Sequence, residues 1–125
     1  RPRGPLDIEE EIEGPALETL FLQHLRAYND YHRLGYQFYY WQTRGGVEVD
    51  FIAYGEKGLL AFEIKRKTQY QISDLSGLKE FIKDYPMAKC YLVYGGDRTE
   101  YVDGVTIAPF ATMLYMLKDI LSGTK

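Results

Sequence analysis

The stretch Val47–Lys65, VEVDFIAYGEKGLLAFEIK, decides the fold of this chain. Two apolar runs flank a polar turn at 55–58, whose two glycines suit the positive φ angles of tight turns, so the pattern predicts a β-hairpin. Three charged residues lie inside these otherwise apolar strands, namely Asp50, Glu63 and Lys65. Because an unpaired charge is costly to desolvate, charged residues in a buried strand are expected to be paired or bound to a metal.

The register of the hairpin follows from its turn. With Glu56 and Lys57 as the two turn residues, Asp50 lies opposite Glu63, and Glu48 lies opposite Lys65. Cross-strand partners have Cβ atoms about 4.5–5.5 Å apart on one face of the sheet. Side chains alternate along a strand, so the other face is predicted to form a core layer: Val47, Val49, Phe51, Leu60, Phe62 and Ile64.

Two neighbouring carboxylates repel each other, and a divalent cation removes that repulsion. Carboxylate oxygens are hard ligands that suit Mg²⁺ or Mn²⁺. A lysine two residues along the strand points to the same face and can orient a water or offset charge on a phosphate. The same residues also fit a solvated hairpin face with a Glu–Lys pair. Both interpretations stay open on this pattern alone.

The chain resembles the PD-(D/E)xK nuclease superfamily in three features taken together: Asp50, the run Glu63-Ile64-Lys65, and Glu18 on a preceding helical segment. More narrowly, the chain resembles the C-terminal domain of unknown function 4143 (DUF4143), which follows an AAA-type ATPase domain in many prokaryotic proteins. The resemblance covers roughly residues 14–121. It is carried by six short segments, 14–18, 40–44, 48–51, 62–65, 75–81 and 108–110.

The resemblance implies a restriction-endonuclease-like α/β core that uses Mg²⁺ or Mn²⁺ on DNA. It assigns metal binding to Asp50, Glu63, the carbonyl of Ile64 and Glu18, and catalysis to Glu18, Asp50, Glu63 and Lys65. The chain departs from the superfamily in two ways: Val49 replaces the proline before the aspartate, and no glutamine matches the motif found on the next helix in some branches. The resemblance therefore implies either a nuclease or a non-catalytic DNA- or protein-binding module of the ATPase.

The charge distribution limits how the chain would meet DNA. Residues 1–13 carry two arginines and five acidic residues, which account for the whole net charge of −3 and leave 14–125 neutral. A neutral domain can bind DNA only through a local basic patch. The best patch is Arg66 and Lys67 after the hairpin, with Arg44 in the preceding turn as a further phosphate contact.

The remaining pattern predicts the element order α-β-β-β-α-β-β-α and a mixed sheet flanked by helices. Pro15 suits the first turn of the first helix, and Ser73 suits the N-cap of the second. Residues 1–13 are expected to be a linker from a missing upstream domain, and 14–125 the domain itself. The predicted elements are helix 15–30, strand 35–41, the hairpin, a helix ending before Pro86, strand 88–94, one or two short strands within 101–107 and helix 109–123.

At 125 residues the chain is expected to form one domain. It has a single cysteine, so it cannot form an internal disulfide, and no signal peptide is visible; we expect a cytoplasmic protein. No apolar run reaches the ~18–20 residues that span a membrane. No Gly-x-x-x-x-Gly-Lys-Ser/Thr motif is present, so the ATPase domain implied by the resemblance lies outside these residues. Oligomeric state is not predicted.

Overall fold

The computed structural model describes residues 9–123, with side chains from residue 16 onward. The predicted order of helices and strands is confirmed except at two places: β5 and β6 occupy the position of one predicted strand, and a short 3₁₀ helix precedes the second α-helix. The elements are α1 (Glu9–His32), β1 (Gln37–Gln42), β2 (Glu48–Gly55), β3 (Gly58–Ile64), the 3₁₀ helix Ile72–Leu75, α2 (Ser76–Asp84), β4 (Lys89–Tyr94), β5 (Glu100–Val102), β6 (Val105–Pro109) and α3 (Phe110–Ser122).

The six strands form one mixed sheet in the order β1-β2-β3-β4-β6-β5. The hairpins β1-β2, β2-β3 and β5-β6 are antiparallel, whereas β3-β4 and β4-β6 are parallel. A parallel pair needs a crossover, and α2 supplies the one between β3 and β4. Every residue of β4 after Lys89 is buried, as expected for a central parallel strand.

The sheet separates two hydrophobic cores. Helices α1 and α3 cover one face, where Phe21 and Leu117 pack around Phe62. Helix α2 covers part of the other face, where Leu78 and Phe81 pack against Ile52. The chain is therefore a three-layer α/β domain, and the end of the hairpin lies between the two helical layers.

Two helix starts differ from the prediction. Helix α1 begins at Glu9, so Pro15 lies inside it rather than in its first turn. Residues 1–8 lie outside the described residues, and the predicted boundary between linker and domain at residue 13 stays a prediction. Ser73 does not cap α2, because the chain first makes the 3₁₀ helix, at whose start the Asp74 carboxylate accepts a hydrogen bond from the Gln71 N–H at 2.8 Å.

The hairpin turn is confirmed, but the face assigned to Val49 is wrong. Phe51 pairs with Phe62 and Gly55 with Gly58, which leaves Glu56 and Lys57 as the turn. Against β1, however, β2 holds one extra residue, because Tyr39 pairs with Ile52 while Trp41 pairs with Val49. Such a bulge reverses the alternation of side chains. Val49 therefore joins the core under α2 instead of the layer that contains Phe51.

The bulge also ends the ladder between β2 and β3. The last backbone pair is Phe51 with Phe62, so the predicted pairs Asp50–Glu63 and Glu48–Lys65 do not form as ladder partners. Glu48 instead lies opposite Gln42 of β1. The two hairpin strands part at this point, which opens a space between them and the helices.

Candidate metal centre

A polar cleft of about 450 Å³ lies where the hairpin strands part, and we call it the acidic cleft. Its walls come from α1, the hairpin with the turn before β2, the 3₁₀ helix and the first turn of α2. The predicted catalytic residues Glu18, Asp50, Glu63 and Lys65 all line it. The main other lining residues are polar or small: Glu48, Ser73, Asp74, Ser76 and Gly77. The structure thus brings the four predicted side chains to one cavity.

The carboxylates of Asp50 and Glu63 each accept a hydrogen bond from a backbone N–H of the other hairpin strand. The Asp50 N–H donates to Glu63 Oε1 at 3.2 Å, and the Ile64 N–H donates to Asp50 Oδ2 at 2.8 Å. Backbone-to-carboxylate bonds therefore replace the ladder bonds that the bulge removes. The backbone bonds engage one oxygen of each carboxylate; Asp50 Oδ1 is left for a ligand, whereas Glu63 Oε2 faces the Lys65 ammonium.

Lys65 is fixed beside this pair. Its backbone N–H donates to the Val93 carbonyl at 2.8 Å, which continues the pairing of β3 with β4 by one residue. Its ammonium Nζ lies 3.5 Å from Glu63 Oε2. One lysine thus faces several carboxylates, and it cannot neutralise them all.

The pKa values of the three acids are shifted in the same direction. Burial, together with the charge of Asp50, raises the pKa of Glu63 to about 7, against the opposing effect of Lys65. Burial also raises the pKa of Asp50, although the bond from the Ile64 N–H acts against it. Burial and the Asp50 charge raise the pKa of Glu18. Burial is the largest cause of all three shifts, and repulsion from neighbouring acids adds to it; a bound cation would offset both by favouring the ionised carboxylates.

The stability of the metal-free protein should therefore fall as pH rises from about 4.5 to about 7. The unfolded chain loses the Glu63 proton near 4.5, whereas the folded chain keeps it until its pKa of about 7, so the folded state binds more protons in this window. A tenfold difference in proton affinity is worth about 1.4 kcal/mol, so Glu63 accounts for at most about 3 kcal/mol of this loss.

Urea unfolding at pH 5 and pH 8 in EDTA measures this loss. Glu63→Gln keeps a hydrogen-bond acceptor for the Asp50 N–H and removes the titration, so its stability should change less between the two pH values. An equal change in both proteins would contradict the prediction.

The match to the predicted ligand set is partial. Glu18 is exposed and lines the acidic cleft, but within residues 16–123 no three His, Cys, Asp or Glu side chains lie close enough to hold one metal ion. Ile64 buries its side chain in the core under α1, so only its backbone belongs to the cleft. The residues still fit Mg²⁺, which is commonly held by one or two carboxylates and keeps several waters.

The predicted nucleic-acid contacts do not line the acidic cleft, but each belongs to a segment next to a residue that does. Arg44 is exposed in the turn between β1 and β2, and Arg66 is exposed directly after Lys65. Lys67 is engaged, since its Nζ lies 2.7 Å from Asp74 Oδ2. Burial acts to raise the pKa of Asp74, but the bonds from Lys67 and the Gln71 N–H outweigh it and hold the pKa below its usual range. No pattern along the chain predicted this ion pair.

Sequence reasoning also missed Gly77. A Cβ built on this residue would lie 2.2 Å from the backbone carbonyl oxygen of Glu48, so only glycine lets α2 approach the start of β2. A glycine inside a helical pattern often has such a packing reason, which was the available signal. Gly77 thereby positions the wall of the acidic cleft that carries Ser73 and Ser76.

Comparison with known proteins gives one family. The model of a domain of unknown function, DUF4143, matches residues 13–113. No curated protein and no solved structure matches the chain. No helix within the described part of the chain is long and apolar enough to cross a membrane. The family match extends over far more than half of the chain and includes every residue of the acidic cleft, so the chain belongs to the DUF4143 family.

Proposed function

We propose that this domain is a metal-dependent nuclease, a member of the PD-(D/E)xK superfamily that hydrolyses phosphodiester bonds in DNA. The observation that carries the proposal is the orientation of Asp50 and Glu63 by backbone N–H groups, with the Lys65 ammonium 3.5 Å from Glu63. The order α1-β1-β2-β3-α2-β4 supports it, since a restriction-endonuclease-like core is the fold that the resemblance implies.

In this proposal Asp50, Glu63 and the carbonyl of Ile64 would hold Mg²⁺ or Mn²⁺, and Glu18 would bind the metal or its water from α1. A bound divalent cation would polarise the phosphoryl oxygens and lower the pKa of a water. Lys65 orients the attacking water and offsets charge that develops on the phosphate. Water attacks phosphorus in line, the bond to the leaving oxygen breaks, and that oxygen takes up a proton.

Arg44 and Arg66 are proposed to contact the phosphate backbone, which would position the strand without reading its sequence. Lys67 would join them only by leaving Asp74, to which it is bonded at 2.7 Å. In a longer chain the expected neighbour is an AAA-type ATPase domain upstream, as the resemblance implies.

The alternative is a non-catalytic DNA- or protein-binding module of that ATPase with a degenerate nuclease site. Two observations favour it: no three acidic, histidine or cysteine side chains within residues 16–123 reach metal-binding distance, and Val49 stands before Asp50. In this version the acidic cleft would bind a cation without cutting DNA.

Incubation of supercoiled plasmid DNA with the protein separates the two proposals. A nuclease should nick the plasmid with Mn²⁺ and not with EDTA, and Lys65→Ala should reduce the rate by about 100-fold or more because it removes a group that assists the transition state. Lys89→Ala is the matched control, since Lys89 is exposed at the other end of the sheet.

Equal nicking by the wild type and Lys65→Ala would reveal a contaminating nuclease and would reject the enzyme proposal. Stabilisation by Mn²⁺ without any nicking would favour the non-catalytic module.

A further inference from the structure

The sheet face under α2 is only partly covered. Beyond Phe81, between the end of α2 and strand β1, lies a groove of about 500 Å³ with almost entirely apolar walls, which we call the aromatic groove. Four of its large side chains are exposed to solvent: Tyr39 (51%), Tyr54 (57%), Tyr85 (40%) and Met87 (67%). Tyr40 (69%) also borders the groove, but it lies between Tyr39 and Trp41 on β1, so its side chain stands on the opposite face of the sheet. A contiguous exposed apolar patch of this size usually marks an interaction site.

The aromatic groove borders the edge of the sheet formed by β1. Strand β1 ends the strand order and, within residues 9–123, hydrogen-bonds only to β2. Its six residues, QFYYWQ, include no charge, proline or glycine. Natural edge strands are usually blunted by charges, proline or short length, because a free edge pairs with other chains.

The opposite edge of the same sheet is protected. Strand β5 has only three residues, carries Glu100 and is followed by the turn Asp103-Gly104. The contrast between the two edges indicates that β1 is built to pair.

We propose that β1 and the aromatic groove form the interface of a homodimer, in which the two β1 strands pair antiparallel about a two-fold axis. An uncharged strand is self-complementary, because no like charges meet when it pairs with its own copy. A two-fold axis perpendicular to the sheet places the α2 faces of both copies on the same side. The two aromatic grooves then lie next to each other and shield each other from water.

The exposed area suits such a dimer. With about 200 Å² for each large side chain, these four residues and Tyr40 expose roughly 550 Å² per copy, so a dimer that covered all of them would bury at most about 1,100 Å² of this surface. Specific interfaces begin at about 1,000–1,200 Å². Strand pairing adds backbone hydrogen bonds, so we expect a dimer that forms at micromolar concentration.

Sedimentation of the purified protein at about 1–100 μM should show the mass rising from 14.5 kDa towards twice that value. Tyr40→Lys should keep the protein monomeric, because a lysine on the edge stops pairing and Tyr40 is too exposed to matter for the fold. Tyr101→Lys is the matched control: this tyrosine is 74% exposed on β5, at the protected edge, and the variant should still dimerise.

Met87→Lys tests the groove without touching the strand, since Met87 lies between α2 and β4. It should weaken the dimer about tenfold, because it places a charge in the apolar layer.

A monomeric wild type at 100 μM would overturn the proposal. So would a dimer that Tyr40→Lys leaves intact. Dimerisation does not depend on the metal site, so these outcomes are independent of the proposed function.

Discussion

Mn²⁺ is expected to stabilise the wild type by binding at the proposed site, and replacing Asp50 with asparagine is expected to abolish that stabilisation. At about 100 times its dissociation constant, a metal that binds only the folded state adds about 2.7 kcal/mol. For a domain of this size that corresponds to a rise of about 10 °C in melting temperature. Asparagine lacks the negative charge that the cation needs, so Mn²⁺ should raise the melting temperature of the Asp50→Asn variant by less than about 1 °C.

The asparagine variant should nevertheless fold normally. Its side-chain oxygen can still accept the hydrogen bond that Ile64 N–H donates to Asp50 at 2.8 Å. Removing a carboxylate whose pKa is already raised by burial should leave the metal-free protein at least as stable as the wild type. This combination separates a metal ligand from a residue that merely supports the fold.

Differential scanning fluorimetry with and without Mn²⁺ measures both effects. Asp84→Asn is the matched control, because it removes an exposed acid at the far end of α2, and it should keep the full rise. If Asp50→Asn keeps the full rise as well, the metal binds elsewhere and the proposed site is wrong.

Replacing Gly77 with alanine is expected to destabilise the domain by about 3 kcal/mol or more. The new Cβ would lie 2.2 Å from the Glu48 carbonyl oxygen, and this neighbour is backbone, so it cannot rotate away. Helix α2 cannot retreat cheaply either, since Leu78 and Phe81 hold it in a fully buried core. The strain must therefore be relieved by moving a packed helix.

Thermal unfolding should show a fall of about 10 °C in melting temperature. Gly45→Ala offers the same substitution in an open turn, where the nearest atom to a new Cβ is Thr43 Oγ1 at 3.8 Å. That variant should stay close to the wild type. Equal stability of the two variants would contradict the close approach of α2 to β2.

The hairpin could be predicted from the sequence because its signals are local. Glycines on both sides of Glu56-Lys57 fix the turn, and the turn fixes which residues of β2 and β3 pair, up to Phe51 with Phe62. The buried β4 and the closing helix α3 are equally local, since each is a continuous apolar pattern of a length typical of its type. The four predicted catalytic residues line one cavity for the same reason: three of them belong to this one hairpin.

The bulge could not be predicted in the same way. Strand β2 pairs with β1 on one side and with β3 on the other. Its pairs with β1 are Ile52 with Tyr39 and Val49 with Trp41, and between these two pairs β2 has one residue more than β1. That misfit turns Val49 to the α2 side. It also ends the ladder where Asp50 and Glu63 begin to bond backbone N–H groups.

The sequence by itself determined the local elements, the hairpin turn and the residue types that meet at its open end. Only the tertiary structure decided how those residues are oriented, that Lys67 pairs with Asp74 and that Gly77 must be glycine. The physical reason is the distance along the chain between the residues that interact. Turns and periodic patterns depend on neighbours along the chain, whereas the bulge, the ion pair and the close helix contact depend on segments that meet only after the sheet has formed.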